Sequence, residues 1–266
     1  MKRNKKLFLF LGILISLVLV GFLLFRKKQE QGSDFKIGIL ADDGVALVSI
    51  SRERKMINVL KIDPEAKLWI PAGLGWYRNI AIKKILQQEK KINLLNDIIF
   101  YNFGYKSDKL LYLKTIDDWK NVYWWKLMFY NNFLTKEEIV KNDIDLSEDL
   151  LDEVMIRDFA QIKVIEEDLK LSIINITEIG GLANFMTKRF ERLGFSVILV
   201  GNDNSGEKKV CQILYGKETA NTYSLLLIKK IINCEAKEDL GLNGNEVEIY
   251  FDDHFSTMIE YPSYNK

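Results

Sequence analysis

The sequence predicts an α/β protein with a single N-terminal transmembrane helix, then a small α/β domain and a C-terminal β-α-β-β-α-β domain. Three observations predict it. One apolar run near the N-terminus is long enough for a bilayer. Beyond it, short Val- and Ile-rich runs alternate with stretches of helical period. From residue 170 the alternation becomes regular, strand, helix, strand, strand, helix, strand.

The apolar run is LFLFLGILISLVLVGFLLF, residues 7–25, with no charge, Asn, Gln or Pro. Nineteen residues at 1.5 Å each make about 28 Å of helix, against a hydrocarbon core of roughly 30 Å. A cleaved signal peptide would have a shorter apolar region and a small-residue cleavage site. Here the run passes straight into Arg26-Lys27-Lys28, and no Cys follows to carry a lipid. The expectation is an uncleaved anchor in the cytoplasmic membrane. Lys2, Arg3, Lys5 and Lys6 with the terminal amine outweigh the three cations after the run. That bias puts residues 1–6 in the cytoplasm and the bulk of the chain outside. Residues 26–34, RKKQEQGSD, read as a linker.

From Phe35 the runs FKIGIL, VALVSIS, KMINVLKI and KLWIP are strands, separated by Asp42-Asp43-Gly44, Ser51–Arg54 and Asp63-Pro64-Glu65. VSISRERKMINVLKI has the form of a hairpin. From about Tyr77 the period lengthens, and Ile80, Ile82, Ile85 and Leu86 share one stripe, which predicts a helix. A second helix carries Ile92, Leu95, Ile98 and Ile99 and closes near Gly104. KLLYLK at 109–114 reads as a strand. Thr115, with Asp117 and Asp118 after it, opens a predicted helix that holds Trp119, Trp124 and Trp125. This first domain spans 35–144. An acidic helical segment, 145–169, connects it to the second domain, 170–252, and 253–266 is an aperiodic tail.

Charge argues against nucleic acid. Four of the 38 Lys+Arg precede residue 7 and none lies in 7–25, so residues 26–266 carry 34 against 37 Asp+Glu, a formal −3. A nucleic-acid binder shows a basic excess or stripe, and this chain has neither.

The strand–Gly180-Gly181–helix unit resembles the start of a phosphate-binding loop. It fits neither G-x-G-x-x-G nor the Lys-Ser/Thr of a P-loop, and Glu178 in the loop would repel a phosphate. The glycines are read as structural. Gly180 takes the turn, Gly181 lets the helix pack close, and Gly194 ends the helix. No nucleotide, other cofactor or metal is expected. With one histidine, His254, a Cys/His metal site has no basis. Asp252-Asp253-His254 reads as a solvated tail. Asp42-Asp43 read as turn residues, and Asn202-Asp203-Asn204-Ser205-Gly206 as a hairpin turn. Ser51 and Ser256 lack any nucleophile motif. The tryptophans fit core or interface better than a sugar platform. Asn175-Ile176-Thr177 is formally a glycosylation sequon at a strand end, and is read as structural.

INITEIGGLANFMTKRFERLGFSVILVGN, residues 174–202, resembles the C-terminal domain of the LytR family of bacterial envelope proteins, over roughly 170–252. The resemblance implies a small α/β domain outside the cytoplasmic membrane, with no catalytic residues. Upstream, DGVALVSISRERKMINVLKIDPEAKLWIPAGLGWY more weakly resembles a LytR-CpsA-Psr catalytic domain, shortened and degenerate. That family carries Pro-Arg-Asp after its active-site strand, where the arginine holds a lipid-linked pyrophosphate. This chain has Asp63-Pro64-Glu65 there. Phosphoryl transfer needs positioned cations, so no activity is expected.

The expected function is a non-catalytic envelope adaptor or scaffold in cell-wall or glycopolymer maintenance, with wall polymer or envelope proteins as partners. The alternative is a divergent phosphotransferase that moves glycopolymer from a lipid pyrophosphate to peptidoglycan. A cationic cleft built from Arg52, Arg54 and Arg78 would favour the alternative. A third reading, assembly through the C-terminal domain, calls for an exposed apolar patch there.

Cys211 and Cys234 are a candidate disulfide. In a ferredoxin-like order Cys211 would start the third strand of the second domain and Cys234 would follow its second helix, at the same level. The competing reading is two small apolar core residues.

Overall fold

The computed structural model describes residues 34–123, 133–140, 148–203, 210–242, 244–253 and 255. Strands β1 (Phe35–Ala41), β2 (Gly44–Ser51) and β3 (Met56–Ile62) form an antiparallel meander. β4 (Lys67–Ile70) and β5 (Gly75–Arg78) form a small separate hairpin. β6 (Lys109–Tyr112) joins β1 in parallel and β7 (Leu134–Val140) joins β3 in parallel, giving the order β6-β1-β2-β3-β7.

Both faces of this sheet are covered, which explains why all eight residues of GVALVSIS are buried. Leu40, Val45, Leu47 and Leu60 meet helices α1 (Ile82–Gln88) and α2 (Leu95–Phe103). Ile37, Ile39, Val48 and Val59 meet Ile116, Tyr123 and Trp119, the last in the short α3 (Trp119–Val122). The segment 145–169 supplies α4 (Glu148–Val154), a π turn at Met155–Phe159 and α5 (Ile162–Glu167).

The second sheet holds β8 (Lys170–Asn175), β9 (Ser196–Asn202), β10 (Gln212–Tyr215), β11 (Glu235–Glu238) and β12 (Glu246–Phe251). Its order is β11-β10-β12-β8-β9. Helix α6 (Leu182–Leu193) crosses from β8 to parallel β9, and α7 (Tyr223–Ile231) from β10 to parallel β11. One face carries the main core of Leu171, Ile173, Ile213, Val247 and Ile249 with both helices. The other has only a small cluster of Ile174, Leu214 and Tyr250.

Asp34–Lys266 is one compact unit, and its two sheets share a core. Trp69, Phe100 and Tyr101 belong to the same cluster as Met186 and Phe190. Arg189 Nε donates to the Tyr101 carbonyl at 2.7 Å, and Arg192 Nη1 donates to the Asn102 carbonyl at 2.9 Å. Two cations thus cap the carbonyl end of α2, which has no later turn to bond it. Arg192 also pairs with Asp152. Gly104 lets the helices meet, because at φ 62° a Cβ there would lie 2.6 Å from the Arg189 carbonyl oxygen.

Several expectations are corrected. The anchor expected at 7–25, with residues 1–6 and the linker up to Ser33, lies outside the described residues. No helix among the described residues is long and apolar enough to cross a membrane. The longest, α6, has twelve residues, about 18 Å, and a charged face. The fold class with a transmembrane helix is therefore replaced by an α/β fold of mixed sheets. The helix expected from Tyr77 starts at Ile82, because Gly75–Arg78 pairs with β4. The helix expected from Thr115 is short. Asp118 accepts the Thr115 N–H at 3.0 Å, and α3 ends at Val122. Trp124 and Trp125 lie outside the described residues, and Leu134 onward is a strand. The second sheet is not ferredoxin-like, since β8 lies between β12 and β9.

Candidate functional site

The first candidate is the end of the first sheet where Asp63-Pro64-Glu65 stands. Asn79 organises it. Its Oδ1 accepts the Val45 N–H at 2.8 Å and its Nδ2 donates to the Ile62 carbonyl at 2.9 Å. Asn79 is fully buried and locks the β1–β2 turn to the end of β3. Around it the carboxylates have protein partners. Asp63 Oδ1 accepts the Glu65 N–H at 2.7 Å, and Asp43 accepts the Ile116 N–H at 2.9 Å. The cations are paired too. Arg78 meets Glu65 at 2.9 Å, Lys83 meets Asp42 at 2.7 Å, and Lys61 meets Asp117 at 3.0 Å and Glu137 at 3.5 Å. Lys61 holds the Asp117 carboxyl below its ordinary range through that hydrogen bond.

The three arginines do not converge. Arg52 and Arg54 sit in the β2–β3 turn, where Arg54 donates to the Arg157 carbonyl. Arg78 lies beyond the other end of β3, about 20 Å away for seven extended residues.

The second candidate lies where the two sheets' helices meet. A cavity of ≈ 270 Å³ is lined by Pro71 and Ala72 after β4, Leu94, Asp97 and Tyr101 around α2, and Ile231 at the end of α7 with Asn233 beyond it. Asp97 and Tyr101 are four apart on α2 and so share a face. The Tyr101 ring lies against Trp69 and Phe100 edge-on and stacks beside Phe185. Burial raises the Asp97 carboxyl, only partly offset by Lys106. Burial lowers the Lys106 ammonium, with Asp97 opposing. Burial, then Asp97, pushes the Tyr101 hydroxyl far above its ordinary value.

The third is a buried cation. Lys36 Nζ donates to the Phe159 carbonyl, to the Ala160 carbonyl at 3.2 Å and to Ser49 Oγ at 3.4 Å. Asp34 stands 3.9 Å away. Burial still wins over the nearby carboxylates, and the pKa falls from 10.5 to about 8. These contacts tie β1 to the π turn, a structural role.

The remaining residues singled out in the sequence fall as follows. Cys211 and Cys234 are joined in a disulfide, Cα–Cα 5.1 Å. Cys211 leads into β10 and Cys234 follows α7, as expected, although the strand order is not ferredoxin-like: β10 and β11 are parallel neighbours, with Gln212 opposite Glu235, so the cysteines precede matched positions. Gly181, rather than Gly180, takes the left-handed turn, at φ 86°, and a Cβ on Gly180 would meet nothing within 4 Å. Gly194 ends α6 at φ 105° against Ile165. Asn175 is buried and donates to the Ile179 carbonyl at 2.9 Å, and its Oδ1 accepts from Thr177. Ser51 is buried and accepts the Arg54 N–H at 3.3 Å. Trp119 is core. His254, Ser256, Asn204, Ser205 and Gly206 lie outside the described residues. Among the described residues no group of three or more His, Cys, Asp or Glu could hold a metal. The edge strand β9 carries Ile198, Leu199 and Val200 at 55%, 52% and 40% exposure.

Sequence reasoning missed the cavity. Asp97 reads in the sequence as one more polar helix residue, and only the fold brings residues 71, 97 and 231 together.

No family model matches the chain, and no curated protein matches it. Among solved structures it is similar to the LytR-CPS2A-psr family protein YwtF (TagT) with bound octaprenyl pyrophosphate lipid, at 19% identity and TM-score 0.26. The match covers 31% of this chain and 34% of that one, so this chain spans about a third of that protein's length.

Proposed function

We propose that this chain is a non-catalytic cell-envelope protein, an adaptor or scaffold that holds wall glycopolymer outside the bacterial cytoplasm. One observation carries the reading. At the 63–65 end, where a phosphotransferase would place a cation for a lipid pyrophosphate, Arg78, Lys83 and Lys61 are each tied to a carboxylate. Phosphoryl transfer depends on cations aimed at the phosphates, and here they would have to leave existing partners. The resemblance of residues 170–252 to the LytR C-terminal domain supports an envelope role. The Cys211–Cys234 disulfide supports an oxidising compartment.

The test is co-sedimentation of the full chain with insoluble peptidoglycan at low and high salt, beside a transfer assay with a polyprenyl-pyrophosphate-linked glycan. Salt-resistant pelleting without transfer is the expected result. Protein left in the supernatant overturns wall binding, and turnover of the lipid-linked glycan overturns the non-catalytic reading.

A second reading is favoured by β9. Ile198, Leu199 and Val200 form an uncharged, exposed edge, the kind of strand that pairs with another copy unless guarded by charge. Sedimentation velocity of the wild type and Leu199→Lys tests it. A dimer that the lysine dissolves supports assembly, and a monomer in both removes it.

A further inference from the structure

The cavity between the two halves has features that a purely structural gap would lack. Asp97 is half-buried, and among the described residues its carboxylate accepts no hydrogen bond and forms no ion pair at contact distance. The Tyr101 hydroxyl donates to no described residue, although its ring is enclosed by Trp69, Phe100 and Phe185. Neither is a sealed, unsatisfied atom, so both keep access to solvent, and water or a ligand must serve them. Asp97 and Tyr101 line the cavity from one side, and Asn233 lines it from the other. Leu94, Pro71 and Ile231 supply apolar walls.

The chemistry narrows the ligand. A phosphate would meet the Asp97 carboxylate on the wall. An amine would be opposed by Lys106, which is close enough to Asp97 to perturb it, and by Lys230 behind it. A hydroxyl donates to a carboxylate, exchanges hydrogen bonds with a phenol and an amide, and carries no charge. The volume, ≈ 270 Å³, lies just under the range of roughly 300–1,000 Å³ typical of small-molecule pockets, which suits a single ring.

We infer that this cavity binds one neutral sugar ring, with Asp97 and Tyr101 taking its hydroxyls from the first half and Asn233 from the second. The inference rests on the wall-glycopolymer reading for its choice of sugar, a neutral N-acetylated hexosamine. The second wall is held by covalent structure, since Asn233 adjoins Cys234, which is bonded to Cys211. The disulfide thereby ties the chain at Asn233 to the start of β10.

The experiment uses the full chain. N-acetylglucosamine is titrated by NMR or calorimetry into wild type, Asp97→Asn, Tyr101→Phe and Asn233→Ala, with glucosamine and inorganic phosphate as controls. Tyr101→Phe keeps the ring, and Asn233 is exposed, so these variants keep the test valid if Asp97→Asn fails to fold. The expected result is saturable binding of N-acetylglucosamine, weakened at least tenfold by each variant. Equal binding by the variants, no binding to wild type, or tighter binding of glucosamine or phosphate overturns the inference. Peptidoglycan pelleting by all variants alike, with no sugar titration, sinks the cavity and leaves the wall reading standing. Sugar binding lost with Asp97→Asn but no pelleting in any form keeps the cavity and sinks the wall reading.

Discussion

The two polar regions of this molecule treat their charges in opposite ways. At the 63–65 end, Asp42, Asp43, Asp63, Glu65 and Asp117 each meet a described protein partner. In the cavity between the halves, Asp97 and the Tyr101 hydroxyl meet none among the described residues. Satisfied groups of the first kind hold turns and strand ends in place. Groups of the second kind have no protein partner among the described residues and are open to water or a ligand from outside. The difference teaches where to look for a ligand. The end that the sequence resemblance points to is occupied by its own ion pairs, and the cavity it does not point to is open.

The comparison breaks most completely if the joint between the halves is removed. Arg192 is buried, holds Asp152 and caps the Asn102 carbonyl. Arg192→Ala leaves the Asn102 carbonyl without its donor and Asp152 with Lys188 alone, at 3.6 Å, a loss of roughly 3 kcal/mol, the low end for breaking a buried pair. Urea unfolding should show that loss in the midpoint at unchanged slope, and sugar binding at Asp97 should fall with it. The 63–65 end, built wholly within the first half, should keep its contacts. An unchanged midpoint would show that the arginine is not what joins the halves.

Next comes the disulfide. Its sequence separation is 23, and the chain-entropy model assigns a loop of that size about 3.5 kcal/mol. Cys211→Ser with Cys234→Ser should lower stability by that order and loosen the Asn233 wall, so that N-acetylglucosamine binds more weakly while the first sheet is unaffected. Stability equal with and without reductant would contradict this.

Lys36 offers a pH-dependent contrast within the first half. Its folded pKa is near 8 against 10.5 for an unburied lysine. Below pH 8 it is charged in both states, and the burial penalty is felt in full. Between pH 8 and 10.5 the unfolded chain binds the proton and the folded chain does not, so stability rises with pH. The span of the shift corresponds to about 3 kcal/mol. Relative to Lys36→Met, the wild type should therefore gain stability over that window. A flat difference curve would mean that the ammonium is not desolvated.

Much of the fold was legible, and the physical reasons differ by element. β2 was legible because a strand covered on both faces is a continuous apolar run. The β8-α6-β9 unit was legible because Gly181 and Gly194 bracket a strongly amphipathic helix. β7 was missed, because its Lys136, Glu137 and Glu138 are satisfied by partners remote in sequence, such as Asp158 and Lys120. β5 was missed because its four residues, Gly75–Arg78, are too short to show a period. The cysteines were legible as a pair before β10 and after α7, but the parallel β10-β11 pairing beside them was not. The cavity was illegible for the same reason, since its walls come from residues 71–72, 94–101 and 231–233.

The smallest expected effect is the most direct test of the contrast. Glu65 and Arg78 are both more than half exposed, so their ion pair contributes little, on the order of 0.2–1 kcal/mol. Glu65→Gln should therefore barely move the melting temperature, while releasing Arg78. If the 63–65 end were a phosphate site masked only by that pair, the variant would acquire affinity for polyprenyl pyrophosphate in a vesicle-binding assay. The expected outcome is none. Asp63 and Asp42 remain at that end of the sheet, Lys83 and Lys61 stay paired, and Arg54 lies at the far end of β3. One arginine at the protein surface cannot neutralise two phosphates in a field of carboxylates, so gain of binding would reverse the assignment of the two regions.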